Sequence, residues 1–297
     1  MSRAITLALG GGGVKGNAHL GVLRVLEQHG IEIGGIAGTS AGGLWGALYA
    51  SGLSVEQVLE QAKNLDYDEA YRRLPDDEPS WMGVAGIRKL LGDILGDKTF
   101  ADLRFPFAVT AVDLDTAELV IIRSGKVLDA VLATIAVPGI FPPVHYDGRL
   151  LVDGGILAPV PVSLARSLAP ELPVAAVVLS PPIDHWKSSS KPRLMNSLPF
   201  LARYLARLRV AQALNVFLRA MDISGAQLTE LFLALEKPEV IIRPAVGNIG
   251  LLDDVDAHEV ANAGELAALE VLPELERQVS WPMVWRRRMK QMVAPHE

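Results

Sequence analysis

The sequence predicts an α/β protein of three layers, helices on both sides of a mainly parallel central sheet. Short β-branched and apolar runs alternate with stretches of helical apolar spacing, and glycine clusters stand where predicted strands hand over to helices. Of the 297 residues, 50% are hydrophobic and 21% charged, enough apolar surface for one large core. A single domain over residues 1–297 is therefore expected, its motif-bearing core at 4–180. A helical segment of mixed apolar and basic character is expected at about 187–236, and helices with a basic tail at 256–297.

The first strand is Ala4 to Leu9, which runs straight into Gly10-Gly11-Gly12-Gly13-Val14-Lys15-Gly16. A helix follows, with Leu20, Leu23 and Leu26 inward and Gly30 as its stop. Strand, glycine loop and helix N-terminus together form a cradle for negative charge, because backbone N–H groups converge where no side chain obstructs them. Gly11, Gly13 and Gly16 satisfy a dinucleotide fingerprint, but the acid expected at the end of the second strand is missing, since Glu32 precedes that strand. A phosphate loop would need Ser or Thr after its lysine, and Lys15 is followed by Gly16. The reading that remains is an oxyanion hole for a nucleophile delivered by the neighbouring strand.

That strand, from Ile31 through Ala37, leads into Gly38-Thr39-Ser40-Ala41-Gly42, and Leu44, Ala47, Leu48 and Ala50 then recur at helical spacing until Ser51-Gly52. A serine on so sharp a strand-to-helix turn needs neighbours two places away without bulk, which Gly38 and Gly42 provide. The pattern is a nucleophile elbow; its plainer alternative is a small-residue turn with a helix-capping serine.

Ser54-Val55-Glu56-Gln57 is a capping box opening a helix to about Asn64, and Asp66 to Ser80 reads as a solvated acidic loop. Phe107 to Val112 and Leu119 to Arg123 form a hairpin about Asp113-Leu114-Asp115-Thr116, whose aspartates are turn residues rather than metal ligands. Leu128 to Val137 is helical, and Pro138 to Val144 is a rigid apolar loop. Arg149 to Val152 makes a strand that ends at Asp153-Gly154-Gly155; an aspartate at a strand end, with two glycines permitting close approach, is the second chemical signal. Val240 to Pro244 is a late edge strand, and Ala257 to Gln278 is helical with an interruption at Pro273.

Composition narrows the function. Without cysteine there is no disulfide, thiolate metal site or cysteine nucleophile, and no metal or cofactor is implied. The run Ala4 to Leu9 is too short for a signal-peptide core, so a cytoplasmic protein is expected. The longest uncharged apolar stretch, Ala130 to Val144, is broken by Pro138, Gly139, Pro142 and Pro143, so membrane contact would be peripheral. A formal charge of −6 argues against general nucleic-acid binding.

Taken together, Gly11 to Gly16, Gly38 to Gly42 and Asp153-Gly154-Gly155, with Ala133 to Gly139 and Phe141-Pro142-Pro143, resemble the motifs of the patatin-like phospholipase family in order and spacing. Lys15 stands where many members carry arginine. The resemblance implies a serine lipid acyl hydrolase with a Ser-Asp dyad: Ser40 as nucleophile, Asp153 as general base, an oxyanion hole from Gly11, Gly12, Gly13 and Lys15, elbow glycines Gly38 and Gly42, and Pro138 and Phe141 at the substrate. A carboxylate with an ordinary pKa near about 4 is a poor base for a serine hydroxyl, so the hole and the helix dipole would carry much of the stabilisation. Two alternatives stand beside it. One is a Ser-His-Asp triad using His185 or His258, both in surface contexts; the other is a non-catalytic lipid-binding module on the same fold. His19 is expected to pack or cap.

Between Lys187 and Arg219 the chain carries Lys187, Lys191, Arg193, Arg203, Arg207, Arg209 and Arg219 with no acidic residue, interleaved with leucine and aromatic side chains. The tail from Trp281 to Lys290 repeats that combination. A dock on an anionic membrane and a lid or oligomer contact are both compatible with this pattern. Head group, acyl length and oligomeric state are not legible.

Overall fold

The computed structural model describes residues 3–63, 67–72, 80–186, 209–285 and 287. Eight strands form one sheet: β1 Ala4–Leu9, β2 Glu32–Gly38, β3 Phe107–Asp113, β4 Leu119–Ile122, β5 Val144–Tyr146, β6 Arg149–Asp153, β7 Val174–Val177 and β8 Val240–Ile242. Their order is β5-β6-β3-β2-β1-β7-β8, with β4 paired to β3. The strands from β3 to β8 along this order run parallel, and β8 is an edge, as expected.

Every residue of β1 is buried, as a strand covered on both faces must be. Alternate side chains separate the two sides. Ile5, Leu7 and Leu9 join the larger core, which is built with helices α1 Ala18–Gln28, α2 Ala41–Ala50, α3 Val55–Lys63, a short α4 at Tyr67–Ala70, α5 Ala85–Leu95 and α6 Val127–Thr134. Ala8, Ala37 and Ala108 face the other side, where small side chains let α7, Val162–Leu168, sit close. Leu233 of the long helix α8, Arg209–Glu236, reaches the same cluster. Helices α9, Ala257–Glu270, and α10, Leu272–Gln278, complete the larger core. The three-layer α/β/α architecture is the one the sequence predicts.

Several elements differ from expectation. The helix predicted to reach Val137 ends at Thr134, because Pro138 excludes helical conformation from the residue before it. Helix α4 stands inside the stretch expected to be an acidic loop, whose residues 64–66 and 73–79 lie outside the described residues. The interruption expected at Pro273 falls two residues earlier, at Val271, and Pro273 occupies the first turn of α10, where its missing N–H has no partner to lose. Residues 187–208 and most of the basic tail also lie outside the described residues. Of the tail, Arg287 turns back to donate to Gln278 Oε1 at 3.0 Å. Among the described residues, no helix is long and apolar enough to cross a membrane.

The sheet pairings bring two chain ends together. Strand β3 pairs with β4 over Val109 to Val112, with β2 over Phe107 to Val109, and with β6 over Ala111 to Asp113. A strand has two edges, and β4 overlaps both other partners, so β2 and β6 share the opposite edge in succession. They run towards each other: Gly38 is opposite Val109 and Asp153 opposite Ala111. The carboxyl ends of β2 and β6 therefore meet head-on. In addition, β1 lies parallel to β2 with Leu9 beside Gly38, which carries the glycine loop to the same edge.

Helices α1 and α9 touch through glycine: a Cβ at Gly21 would collide with the Ala261 carbonyl, and one at Gly264 with the Ala18 carbonyl. Gly264→Ala is expected to lower stability by about 1–3 kcal/mol through overpacking against backbone. Gly92→Ala on α5, with no close neighbour at its Cβ position, is expected to be neutral or to add up to about 1 kcal/mol. Thermal unfolding of the two variants checks the contrast.

Candidate active site

Ser40 follows β2 by two residues and opens α2 with φ 54° and ψ −125°, a left-handed backbone conformation that side chains other than glycine rarely adopt. Surrounding contacts hold it there. Its N–H donates to Thr134 Oγ1 at 2.9 Å. Thr39 donates its hydroxyl to Ala158 O at 2.8 Å and accepts from Thr110 Oγ1 at 2.7 Å, tying the elbow to β3 and to the chain beyond Asp153. Gly38 and Gly42 are required by space: a Cβ on Gly38 would stand 2.5 Å from Gly43 N, and one on Gly42 would strike the Leu9 carbonyl.

Asp153 ends β6, with its N–H on Ala136 O at 2.9 Å. Its Oδ1 accepts the Gly155 N–H at 2.7 Å, and the Ser40 side chain lies close enough to lower its pKa. Gly154 lies so close to Thr110 that any Cβ there would displace its hydroxyl, which fixes the aspartate against β3. Ser40 and Asp153 are 5% and 3% exposed. Burial pushes the Asp153 carboxyl up to about 6, against the opposing influence of the Ser40 side chain and the Gly155 N–H. The expectation of an ordinary carboxylate near about 4 is therefore corrected: desolvation makes Asp153 a stronger base than its sequence context suggests.

The glycine loop is divided in its duties. Gly10 N–H donates to Val177 O at 3.0 Å and Gly11 N–H to Pro159 O at 3.0 Å. Gly11 thus cannot also donate at Ser40; its contribution is clearance, since a Cβ there would stand 3.2 Å from Ser40 Cβ. Gly13 has φ 57°, and beyond it Val14 N–H is held by Leu251 O at 3.1 Å and Lys15 N–H by Gly12 O at 3.2 Å. The N–H groups of Gly12 and Gly13 have no acceptor among the described residues. His19, wholly buried, donates from Nε2 to Gly10 O at 2.8 Å and so braces the loop from behind. Burial lowers its pKa to about 4, which keeps it neutral.

Two cavities meet at Ser40. One, of about 210 Å³, is lined by Gly11, Gly12, Lys15, Asp153, Pro138 and, from α8, Asp222. Burial raises the Asp222 carboxyl, and the charge of Lys15 opposes that rise. The other, of about 110 Å³, is largely apolar and is lined by Leu44, Leu48, Leu91, Ile94 and Phe141. Pro138 and Phe141, paired in the sequence reading, thus serve different cavities. His258 is exposed at the start of α9 and lines neither cavity; the side chain of His185 lies outside the described residues. Asp113 accepts from Asp115 N–H at 3.0 Å, a turn as expected, and no cluster among the described residues could hold a metal ion.

The threonines at 39, 110 and 134 and the whole of α5 were not singled out by sequence. A polar residue inside the otherwise apolar strand Phe107 to Val112 was the available signal for Thr110.

A family model described as patatin-like phospholipase matches residues 7–166. Among curated proteins, an uncharacterised NTE family protein of Mycobacterium tuberculosis is 37% identical over 177 residues, 59% of this chain and 49% of that protein. A second from the same species is 29% identical over 93% of this chain and 48% of its own length. Patatin-like phospholipase domain-containing protein 7 of Rattus norvegicus is 32% identical over 58% of this chain and 13% of its own. The chain thus spans about half the length of the mycobacterial relatives. Among solved structures, VipD from Legionella pneumophila shares the fold, with a TM-score of 0.57 at 13% identity over 91% of this chain and 66% of that one.

Proposed function

Since the chain belongs to the patatin-like phospholipase family, we propose that it is a serine lipid acyl hydrolase working through a Ser40–Asp153 dyad. The observation that carries this reading is the Ser40 side chain set beside the buried Asp153 carboxylate in one cavity, next to two N–H groups without acceptors among the described residues.

In the first half-reaction Ser40 Oγ attacks the ester carbonyl carbon as its proton passes to Asp153. The carbonyl oxygen takes up the electron pair and is held by the N–H groups of Gly12 and Gly13, with the N-terminus of α2 and the charge of Lys15 favouring the same sign. The carbon–oxygen bond to the leaving alcohol then breaks, and Asp153 returns the proton to that alcohol. In the second half-reaction water attacks the acyl-serine, Asp153 takes its proton, and the acid departs as Ser40 is reprotonated. A base with pKa about 6 matches this double duty better than an ordinary aspartate, because it is ionised at neutral pH yet closer to the pKa of its partners.

Among the described side chains, His19 is turned to the Gly10 carbonyl and His258 lines neither cavity, which favours the dyad over the triad. The strained Ser40 backbone and the unpartnered N–H pair are features a passive binding module does not need. On α8, Met221, Ile223 and Ala226 line the first cavity while Val216, Phe217, Leu231 and Leu235 are exposed. Such a helix suits peripheral contact with a lipid surface at the mouth of the site.

Ser40→Ala and Asp153→Asn are each expected to lower turnover of a short-chain p-nitrophenyl ester by about 10³-fold or more without loss of thermal stability, and Asp153→Asn, which removes a charge that burial disfavours, should melt at the same temperature or higher. Because the base must be ionised, kcat/KM in the wild type should rise with pH, bend near 6 and level off above it; a profile flat across that range would contradict the role given to Asp153. Val216→Asp with Phe217→Asp is expected to weaken co-sedimentation with anionic phospholipid vesicles several-fold, and undiminished binding would count against α8 as the contact.

A further inference from the structure

The first cavity carries two opposite charges that the fold leaves without counter-ions. Lys15 and Asp222 both line it, together with Ser40 and Gly12. Neither side chain makes an ion pair or a hydrogen bond among the described residues. They stand beyond ion-pair distance of one another, yet near enough that the charge of Lys15 opposes the rise that burial imposes on the Asp222 carboxyl. Lys15 is partly buried, whereas Asp222 keeps an exposed side, as a group that meets an incoming ligand must. A charge partly withdrawn from water is screened less than one on open surface, so a counter-ion brought to it counts for more. The two come from different elements, the turn after β1 and helix α8, and the cavity is what joins them. Arg219, about one helical turn before Asp222, lines the same cavity and adds positive charge to its wall. Trp186 is the one aromatic side chain there among the described residues.

We propose that this cavity receives the head group of a zwitterionic phospholipid that ends in a primary ammonium, its phosphate against Lys15 and its ammonium on Asp222. Such a head group supplies both counter-ions at once, with its two charges held a short spacer apart. A head group that is anionic overall pairs with Lys15 and leaves Asp222 facing negative charge. An uncharged one leaves both side chains as they are. A quaternary ammonium brings the right charge but no N–H for the carboxylate to accept, and its recognition rests on several aromatic faces where this wall offers Trp186 alone. The largely apolar second cavity is then left for the acyl chain, so the two halves of the ester part on either side of Ser40.

This inference rests on the reading of Ser40 as an ester-cleaving nucleophile, and the test separates the two. The measurement is competition in mixed detergent micelles that hold dioctanoyl phosphatidylethanolamine, phosphatidylcholine and phosphatidylglycerol in equal amounts, with the loss of each followed by mass spectrometry. All three share one interface and one enzyme preparation, so docking and folded fraction cancel from the ratios of kcat/KM. The wild type is expected to consume the ethanolamine lipid about ten-fold faster than the glycerol lipid and several-fold faster than the choline lipid, the scale of one hydrogen bond between charged groups. Asp222→Asn should bring the three close to parity and Asp222→Lys should turn the preference to the glycerol lipid, with a short-chain p-nitrophenyl ester hydrolysed at the wild-type rate by both. Lys15→Met should slow all three lipids more than it slows that ester, since only the lipids bring a phosphate. Wild-type rates at parity, a preference for either other lipid, an ethanolamine preference that survives Asp222→Asn, or equal slowing of lipids and ester by Lys15→Met overturns the head-group site and leaves the hydrolase reading intact. So does an enzyme that cleaves the p-nitrophenyl ester and none of the lipids. Failure on the p-nitrophenyl ester as well overturns both readings together.

Discussion

Everything at the site depends on two strands that share one edge of β3 and run towards each other. Because Gly38 sits opposite Val109 and Asp153 opposite Ala111, the residues just beyond β2 and at the end of β6 have nowhere to go but into contact. The Ser40 turn and the Asp153 carboxylate are thus placed by sheet hydrogen bonding. Strand β1, in register beside β2, adds the glycine loop at the same level. Threonine hydroxyls then lock the three chain ends: Thr110 bonds Thr39, and Thr134 fixes the Ser40 amide.

The same convergence sets the electrostatics. A carboxylate closed off from water is destabilised in its charged form, and the neighbouring Ser40 side chain and the Gly155 N–H resist that effect. The result is a carboxyl near 6, so the burial that makes the Asp153 charge unfavourable in the folded chain also suits it to the proton-accepting role proposed for it. A related arrangement holds in the glycine loop. Gly10 and Gly11 bind the loop to the body of the sheet, His19 holds the Gly10 carbonyl from behind, and the two amides beyond them have no acceptor among the described residues.

The parts of this site that were legible in the sequence are those where backbone must pass close to backbone. Gly38, Gly42 and Gly154 could be read because a side chain at each collides with a neighbour, and glycine is the one residue that records such a demand directly. Ser40 and Asp153 stood out because of the glycines around them. What could not be read is decided by partners distant in sequence. Which amides of the loop are free depends on Pro159 and Leu251; the pKa of Asp153 depends on how completely other elements cover it; the apolar cavity depends on α5, 45 or more residues beyond Ser40. The apolar and basic segment was legible as composition alone, and only its α8 portion has a described position, with Asp222 and Met221 at the first cavity.

The most direct test of the dyad is intact mass after treatment with a serine-directed fluorophosphonate, applied to wild type, Ser40→Ala, Asp153→Asn and a variant with both His185 and His258 changed to alanine. The account predicts a single adduct on wild type and on the double histidine variant at matching rates, none on Ser40→Ala, and labelling slowed by about 10²-fold or more in Asp153→Asn. Labelling that fails in the histidine variant while persisting in Asp153→Asn would contradict it.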